Sequence, residues 1–216
     1  MNSQEGVVKF NLTYTPGPAP EAALLREINA WRTILMVNGL IGQNPARYGG
    51  FGFGNLSLRL PPWDAPPHAR PFIISGTQTG HLAELGPEQY AIVLACDPAA
   101  NHVIAGGPAR PSSESLTHAA VYTQDSAVRV VMHVHSPEMW HCAALLGLPT
   151  TAVDVPYGSP EMAAEVARLF QVTDVAARRI FAMGGHEDGI VAFAADATTA
   201  GRILLDTLAA AQRLTG

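Results

Sequence analysis

Residues 128–135, Val128-Arg129-Val130-Val131-Met132-His133-Val134-His135, constrain the chain most. β-Branched residues dominate the run; they are stiff in a helix and pack well on a pleated surface. The run reads as a buried strand that ends at Ser136-Pro137. Further strands are predicted at 7–12, 56–60, 72–74, 90–95, 102–105, 179–183 and 190–194. Helices are predicted from about residue 20 to Asn38-Gly39 and over 112–124, 137–146, 161–170 and 197–214. In the first helix Leu24, Ile28, Trp31, Ile34 and Leu35 fall on one face. Strands and helices are interspersed without regular βαβ alternation, so the order predicts a helix-flanked mixed sheet. Residues 1–20 read as an N-terminal arm and 21–216 as one domain.

On a strand, residues i and i+2 share a face. His133 and His135 can therefore present two imidazoles to one metal ion, although eight histidines in the chain also make an accidental His-x-His possible. The glycine-bounded turn Gly184-Gly185-His186 offers a third ligand, since glycine lets backbone approach a site closely. Three imidazoles with an open position suit a catalytic zinc site better than a closed structural one. His141 reads as helix surface; His68, His81 and His102 fall in loops or at strand starts.

Pro111-Ser112-Ser113-Glu114 has two readings. It is what a helix N-terminus looks like, with a hydroxyl cap and an acid favoured by the dipole. The same free N–H groups bind anions, and an acid near a metal is what enolisation chemistry requires. The loops at Gly54-Asn55 and Ser75 to Gly80 are rich in small donors. Beside Ser112 and Ser113 they could hold a phosphate or carboxylate without a lysine.

Composition excludes several classes. Of 13 basic residues 12 are arginine and one is Lys9, in a stretch that runs into a Pro-rich loop, which points away from Schiff-base chemistry. No Gly-Lys-Ser/Thr exists, so a Walker-type phosphate loop is absent. A net charge of −5 argues against a nucleic-acid groove. No apolar run approaches the ~18 residues of a membrane span. Met1 to Gly6 lacks the features of a signal peptide, and Cys96 and Cys142 make no disulfide framework, so reducing, cytoplasmic residence is expected. Charged residues are only 14%, against the ~25% usual for soluble domains, which hints at subunit interfaces.

Taken in order, Gly54-Asn55-Leu56-Ser57-Leu58-Arg59, the loop from Ile74 to Gly80, Pro111-Ser112-Ser113-Glu114, His133-Val134-His135-Ser136-Pro137 and the late His186 resemble the class II aldolase/adducin family. That group contains L-fuculose-phosphate and L-ribulose-phosphate enzymes, and the resemblance spans roughly residues 22–214. It implies a three-layer α/β/α sandwich around a mixed, largely antiparallel sheet, assembled as a homotetramer. It implies Zn2+, or Mn2+, Co2+ or Ni2+, on His133, His135 and His186, and Glu114 as acid/base. Asn55, Ser112 and Ser113 match phosphate-site positions, as does the Ser75–Gly80 loop through either Ser75-Gly76 or Thr79-Gly80. The implied activity is a lyase on a small, phosphorylated sugar or hydroxy-carbonyl compound, aldol cleavage foremost. Epimerase, dehydratase and non-catalytic scaffold are the alternatives. Two departures stand out. The family's Asn-His-Gly is here Gly185-His186-Glu187-Asp188-Gly189, which predicts two acids beside the metal. Tyr122 and Tyr157 are the candidates for the tyrosine that protonates the leaving group.

Overall fold

The computed structural model describes residues 7–215. The expectations for Met1 to Gly6 lie outside the described residues. In chain order the elements are β1 (Asn11–Pro16), α1 (Ala22–Val37), β2 (Gly42–Gln43), β3 (Gly52–Phe53), β4 (Asn55–Arg59), β5 (Phe72–Ser75), β6 (Tyr90–Asp97), β7 (His102–Gly107), α2 (Ser115–Gln124), β8 (Val130–His135), α3 (Pro137–His141), α4 (Pro160–Val172), α5 (Val175–Arg178), β9 (Ile180–Ala182), β10 (Gly189–Ala194) and α6 (Ala197–Thr215). Eight strands form one sheet in the order β1-β7-β6-β5-β4-β8-β10-β9. β1 joins β7 in parallel, and the other neighbours run antiparallel.

Strand period two splits the core into two layers. On β8, Val130, Met132 and Val134 pack with Leu25, Ile28 and Leu35 of α1, Met139 of α3 and Leu204 and Leu208 of α6. Val131 turns the other way, to Leu116 and Val121 of α2, Met162, Val166 and Leu169 of α4 and Val175 of α5. The three-layer α/β/α sandwich with a mixed, largely antiparallel sheet follows directly. None of the described helices is long and apolar enough to cross a membrane.

Three local expectations shift. The first strand lies at 11–16 rather than 7–12, because its pairing with β7 sets the register. In α1 the buried stripe is Leu25, Ile28, Arg32 and Leu35, whereas Leu24 and Ile34 are exposed. A buried arginine hid this stripe from a hydrophobic count; its guanidinium donates to the carbonyls of Thr79, Leu82 and Ala83. α3 stops at His141 and gives way to turns short of Leu146. The short β2–β3 ladder and α5 carried no signal of their own.

Candidate active site

His133 and His135 leave β8 on the face that Val131 occupies, toward α2 and α4. β4 pairs Asn55 with His133, and β10 pairs Val191 with His133 and Gly189 with His135. Both imidazoles therefore sit between two neighbouring strands at the end of the sheet. His186 arrives from the turn between β9 and β10. Gly185 has no room for a Cβ, which would overlap the Val155 carbonyl oxygen. That close approach of backbone to backbone carries His186 inward. The ring centroids of His133 and His135 lie 5.0 Å apart, His133 and His186 5.2 Å, and His135 and His186 4.7 Å. One ligating atom from each falls within 4.8 Å of the others, so the three could hold one metal ion.

The chemistry of these donors fits a cation. The Nε2 atoms of His135 and His186 face each other at 3.1 Å, and the buried Nε2 of His133 has no hydrogen-bond partner among the described residues. Burial drives the His133 pKa down to about 3. Burial, then the neighbouring imidazoles, push His135 and His186 well below the usual histidine range, with Arg47 adding at His135 and Lys9 at His186. The neutral imidazole thus favoured is the form that ligates metal.

Glu114 precedes the first residue of α2, yet its side chain makes no capping bond to that helix. Its carboxylate is buried against the histidines instead. Oε2 accepts from the Thr117 hydroxyl at 2.8 Å, while Oε1 has no hydrogen-bond partner among the described residues and lies 3.7 Å from His186 Nε2. With His186 neutral this contact is not an ion pair. Burial raises the Glu114 pKa to about 7, against the downward pull of the Thr117 bond and of Lys9. The local turn is held by Ser112, whose hydroxyl accepts the Glu114 N–H at 3.2 Å.

The small-donor loops meet beside this cluster. Asn55, Ser112 and Ser113 line one recess together with Gly52, Gly54 and residues 76–80. The second loop packs on the first through backbone: a Cβ on Gly80 would overlap Gly42, Gly52 and Phe53. Gly76, Thr79 and Gly80 are at the recess, but Ser75 is not among its lining residues. The Ser75 hydroxyl accepts the Leu56 N–H at 3.2 Å, inside the sheet. Asn55 joins the recess to the histidines, with Nδ2 3.3 Å from His133 Nδ1.

The structure separates the two candidate tyrosines. Tyr157 lays its ring 4.5 Å from that of His186, whereas Tyr122 is buried in a chain with Ser57 and His118. The Ser57 hydroxyl lies 2.8 Å from the Tyr122 hydroxyl and 2.7 Å from His118 Nδ1. The Lys9 ammonium stands 3.4 Å from the centre of the Tyr157 ring and donates to the Tyr157 carbonyl at 3.1 Å. Glu187 is exposed, and Asp188 is buried but turned to Arg47 and Tyr48. The two acids that follow His186 are thus not a pair facing the histidines. Nothing in the local sequence marked Tyr48, since its partner is 140 residues away.

Comparison with known proteins places this arrangement. In structure the chain is similar to an L-fuculose 1-phosphate aldolase at 17% identity, TM-score 0.65, over 91% of this chain and 86% of that one. It is similar to the L-fuculose-1-phosphate aldolase of Thermus thermophilus at 20% identity, TM-score 0.63, over 90% and 94%. YgbL of Escherichia coli, named only as a candidate aldolase/epimerase/decarboxylase, gives 20% identity and TM-score 0.63 over 90% and 89%. Among curated proteins none matches the sequence. At these identities the structural likeness carries the fold alone. The family of class II aldolase and adducin N-terminal domains matches residues 46–212, three quarters of the chain and every residue of the histidine cluster and recess, and the chain belongs to that family.

Proposed function

We propose that the chain is a metal-dependent lyase that cleaves a small hydroxy-carbonyl compound, a sugar phosphate foremost, by an aldol-type reaction. One observation carries the reading: one ligating nitrogen from each of three histidines lies within 4.8 Å of the others, while a buried Glu114 oxygen with no hydrogen-bond partner among the described residues stands 3.7 Å from one of them. Buried polar groups without partners are costly. A cluster of them at one point is better explained by a ligand than by packing.

In this reading His133, His135 and His186 hold Zn2+ or a similar divalent ion. Such an ion supplies Lewis-acid stabilisation of negative charge on a carbonyl oxygen. Glu114 moves the proton at the carbon beside that carbonyl, or to and from the adjacent hydroxyl. Asn55, Gly76, Thr79, Gly80, Ser112 and Ser113 hold the phosphate through hydroxyl, amide and backbone donors. Of the two candidate tyrosines Tyr157 has its ring against His186, with its hydroxyl accepting the Val7 N–H at 3.1 Å, whereas the Tyr122 hydroxyl is bonded to Ser57 in the core; Tyr157 is the nearer candidate for protonating the leaving group. A cytoplasmic homotetramer is the expected setting. Exposed Leu94 and Ile104, on adjacent strands, are apolar surface that an assembly would cover.

The test is a metal-loaded screen against phosphorylated ketoses and against aldehyde pairs, run in both directions. Turnover that disappears with chelator and returns with Zn2+ or Co2+ supports the reading. Stereochemical inversion or loss of water without carbon–carbon cleavage would replace lyase by epimerase or dehydratase on the same residues. Stoichiometric metal with no turnover on any such substrate overturns the activity.

A further inference from the structure

Metal-binding histidines are usually oriented by a hydrogen bond to their other ring nitrogen. At His133 the Asn55 side-chain amide stands beside that nitrogen, 3.3 Å from Nδ1, and can accept its N–H with the amide oxygen turned to the ring. His135 differs: its Nδ1 is buried and has no hydrogen-bond partner among the described residues. Its ring is instead held by packing. The Tyr48 ring meets it edge-on at 4.5 Å, and Phe53 lies 5.3 Å away on the same side.

Tyr48 is itself fixed with unusual care. Its hydroxyl lies 2.6 Å from Asp188 Oδ2 and 2.6 Å from an Arg47 guanidinium nitrogen, and that same nitrogen is 2.5 Å from Asp188 Oδ2. Tyr48 and Asp188 both adopt left-handed backbone, with φ of 51° and 63°. For a tyrosine that conformation is uncommon and carries strain, so the surroundings must enforce it. Asp188 is also the joint between two histidine-bearing segments. It lies two residues beyond His186, and its carbonyl accepts the N–H of Ser136, the residue after His135, at 2.9 Å.

We infer that Arg47, Tyr48 and Asp188 form a latch that positions His135 and His186 for a common ligand, with the Tyr48 ring replacing the hydrogen bond that His135 lacks. The inference rests on the proposed metal site. Within it, Asp188 stands two residues past His186 and takes its partners from Arg47 and Tyr48, about 140 residues earlier. These three are positioning residues. None is assigned a contact with substrate.

The test measures Zn2+ affinity by chelator competition and the visible absorption of the Co2+-loaded protein, for wild type, Tyr48→Phe, Tyr48→Ala and Asp188→Asn. Outer-shell partners typically change metal affinity about 10–100-fold. Tyr48→Phe, which keeps the ring and loses the latch bond, should weaken Zn2+ binding about 10-fold. Tyr48→Ala and Asp188→Asn should weaken it more, toward about 100-fold. The Co2+ spectrum should shift in all three, since the imidazole geometry changes. A residue that serves only folding would lower the melting temperature of the metal-free protein without moving that spectrum. Wild-type affinity and an unaltered Co2+ spectrum in Tyr48→Phe and Asp188→Asn would overturn the latch and leave the metal site standing. No Zn2+ bound by wild type would overturn both. Should Tyr48→Ala fail to fold, the two conservative variants still decide.

Discussion

The two faces of the central sheet are built to different ends from the same strands. Toward α1, α3 and α6 the sheet presents Leu56, Val130, Met132, Val134, Ile190, Ala192 and Ala194, an unbroken apolar surface. Toward α2, α4 and α5 it presents Val131, Val191 and Phe193, but also Asn55, Ser57 and Arg59 on β4 and His133 and His135 on β8. α2 adds Glu114, at its start, and His118 to that side, both fully buried. One face gains stability from every residue. The other gives some of it up, because buried polar atoms such as Glu114 Oε1, His118 Nε2 and His133 Nε2 have no hydrogen-bond partner among the described residues. The difference teaches where function sits: a fold stabilised on one side can carry an unfavourable polar cluster on the other.

The sharpest way to break this comparison is to remove a ligand. His133→Ala, His135→Ala or His186→Ala should each lose stoichiometric metal and with it all measurable turnover, while the apolar face keeps the chain folded. Elemental analysis beside circular dichroism checks this, and full metal occupancy in His186→Ala would sink the triad.

Glu114→Gln comes next. Turnover should fall ~10²–10⁴-fold with metal retained, the usual worth of a positioned proton-transfer group. The same change should stabilise the metal-free protein. The folded pKa near 7 lies above the ~4.3 of an unfolded glutamate. Folding therefore disfavours the ionised form. The penalty is absent below about pH 4, grows as pH rises, and is complete above pH 7. Glu114→Gln should accordingly gain on the order of 3–4 kcal/mol at pH 8 and almost nothing at pH 4. Melting curves at the two pH values test the sign; equal melting points at pH 8 would mean that the carboxylate is not disfavoured there.

On the other face Met132→Ala should do the reverse. Met132 is fully buried and next to His133 in sequence. Its truncation should cost about 2–5 kcal/mol of stability, yet leave metal affinity within about twofold, far short of the ~10-fold expected of an outer-shell partner. A large loss of metal binding would show that the two faces are coupled through β8.

The smallest effect is expected at Ser57, which is central to the buried chain with His118 and Tyr122. Ser57→Ala leaves two buried partners short of a bond and should cost about 1–3 kcal/mol. Urea unfolding measures it. No change in midpoint would mean that His118 and Tyr122 find each other, or water, without the serine.

The sequence determined the strands, their faces and much of the site. Period two alone put His133 and His135 on one side of β8, because alternation is a property of the extended backbone and not of its neighbours. The glycines at 184 and 185 likewise marked the turn that carries His186 inward. Tertiary structure decided what depends on distant partners. Whether Ser112-Ser113-Glu114 served as a cap or as an acid was open in the sequence; the carboxylate turned toward His186, 72 positions along the chain. Ser75 left the recess for a bond to Leu56 across the sheet, and Gly76 and Thr79-Gly80 stayed. Leu24 and Ile34 fit the helical period yet face outward, because Arg32 takes the inner stripe through carbonyls about 50 residues away. Of the Arg47–Tyr48–Asp188 latch the sequence marked only Asp188, as an acid after His186, and not the partners it meets. Positive φ in a tyrosine, and an acid spent on a partner 140 residues off, have no local signature. Periodicity records which way a side chain points, and only packing records what it meets.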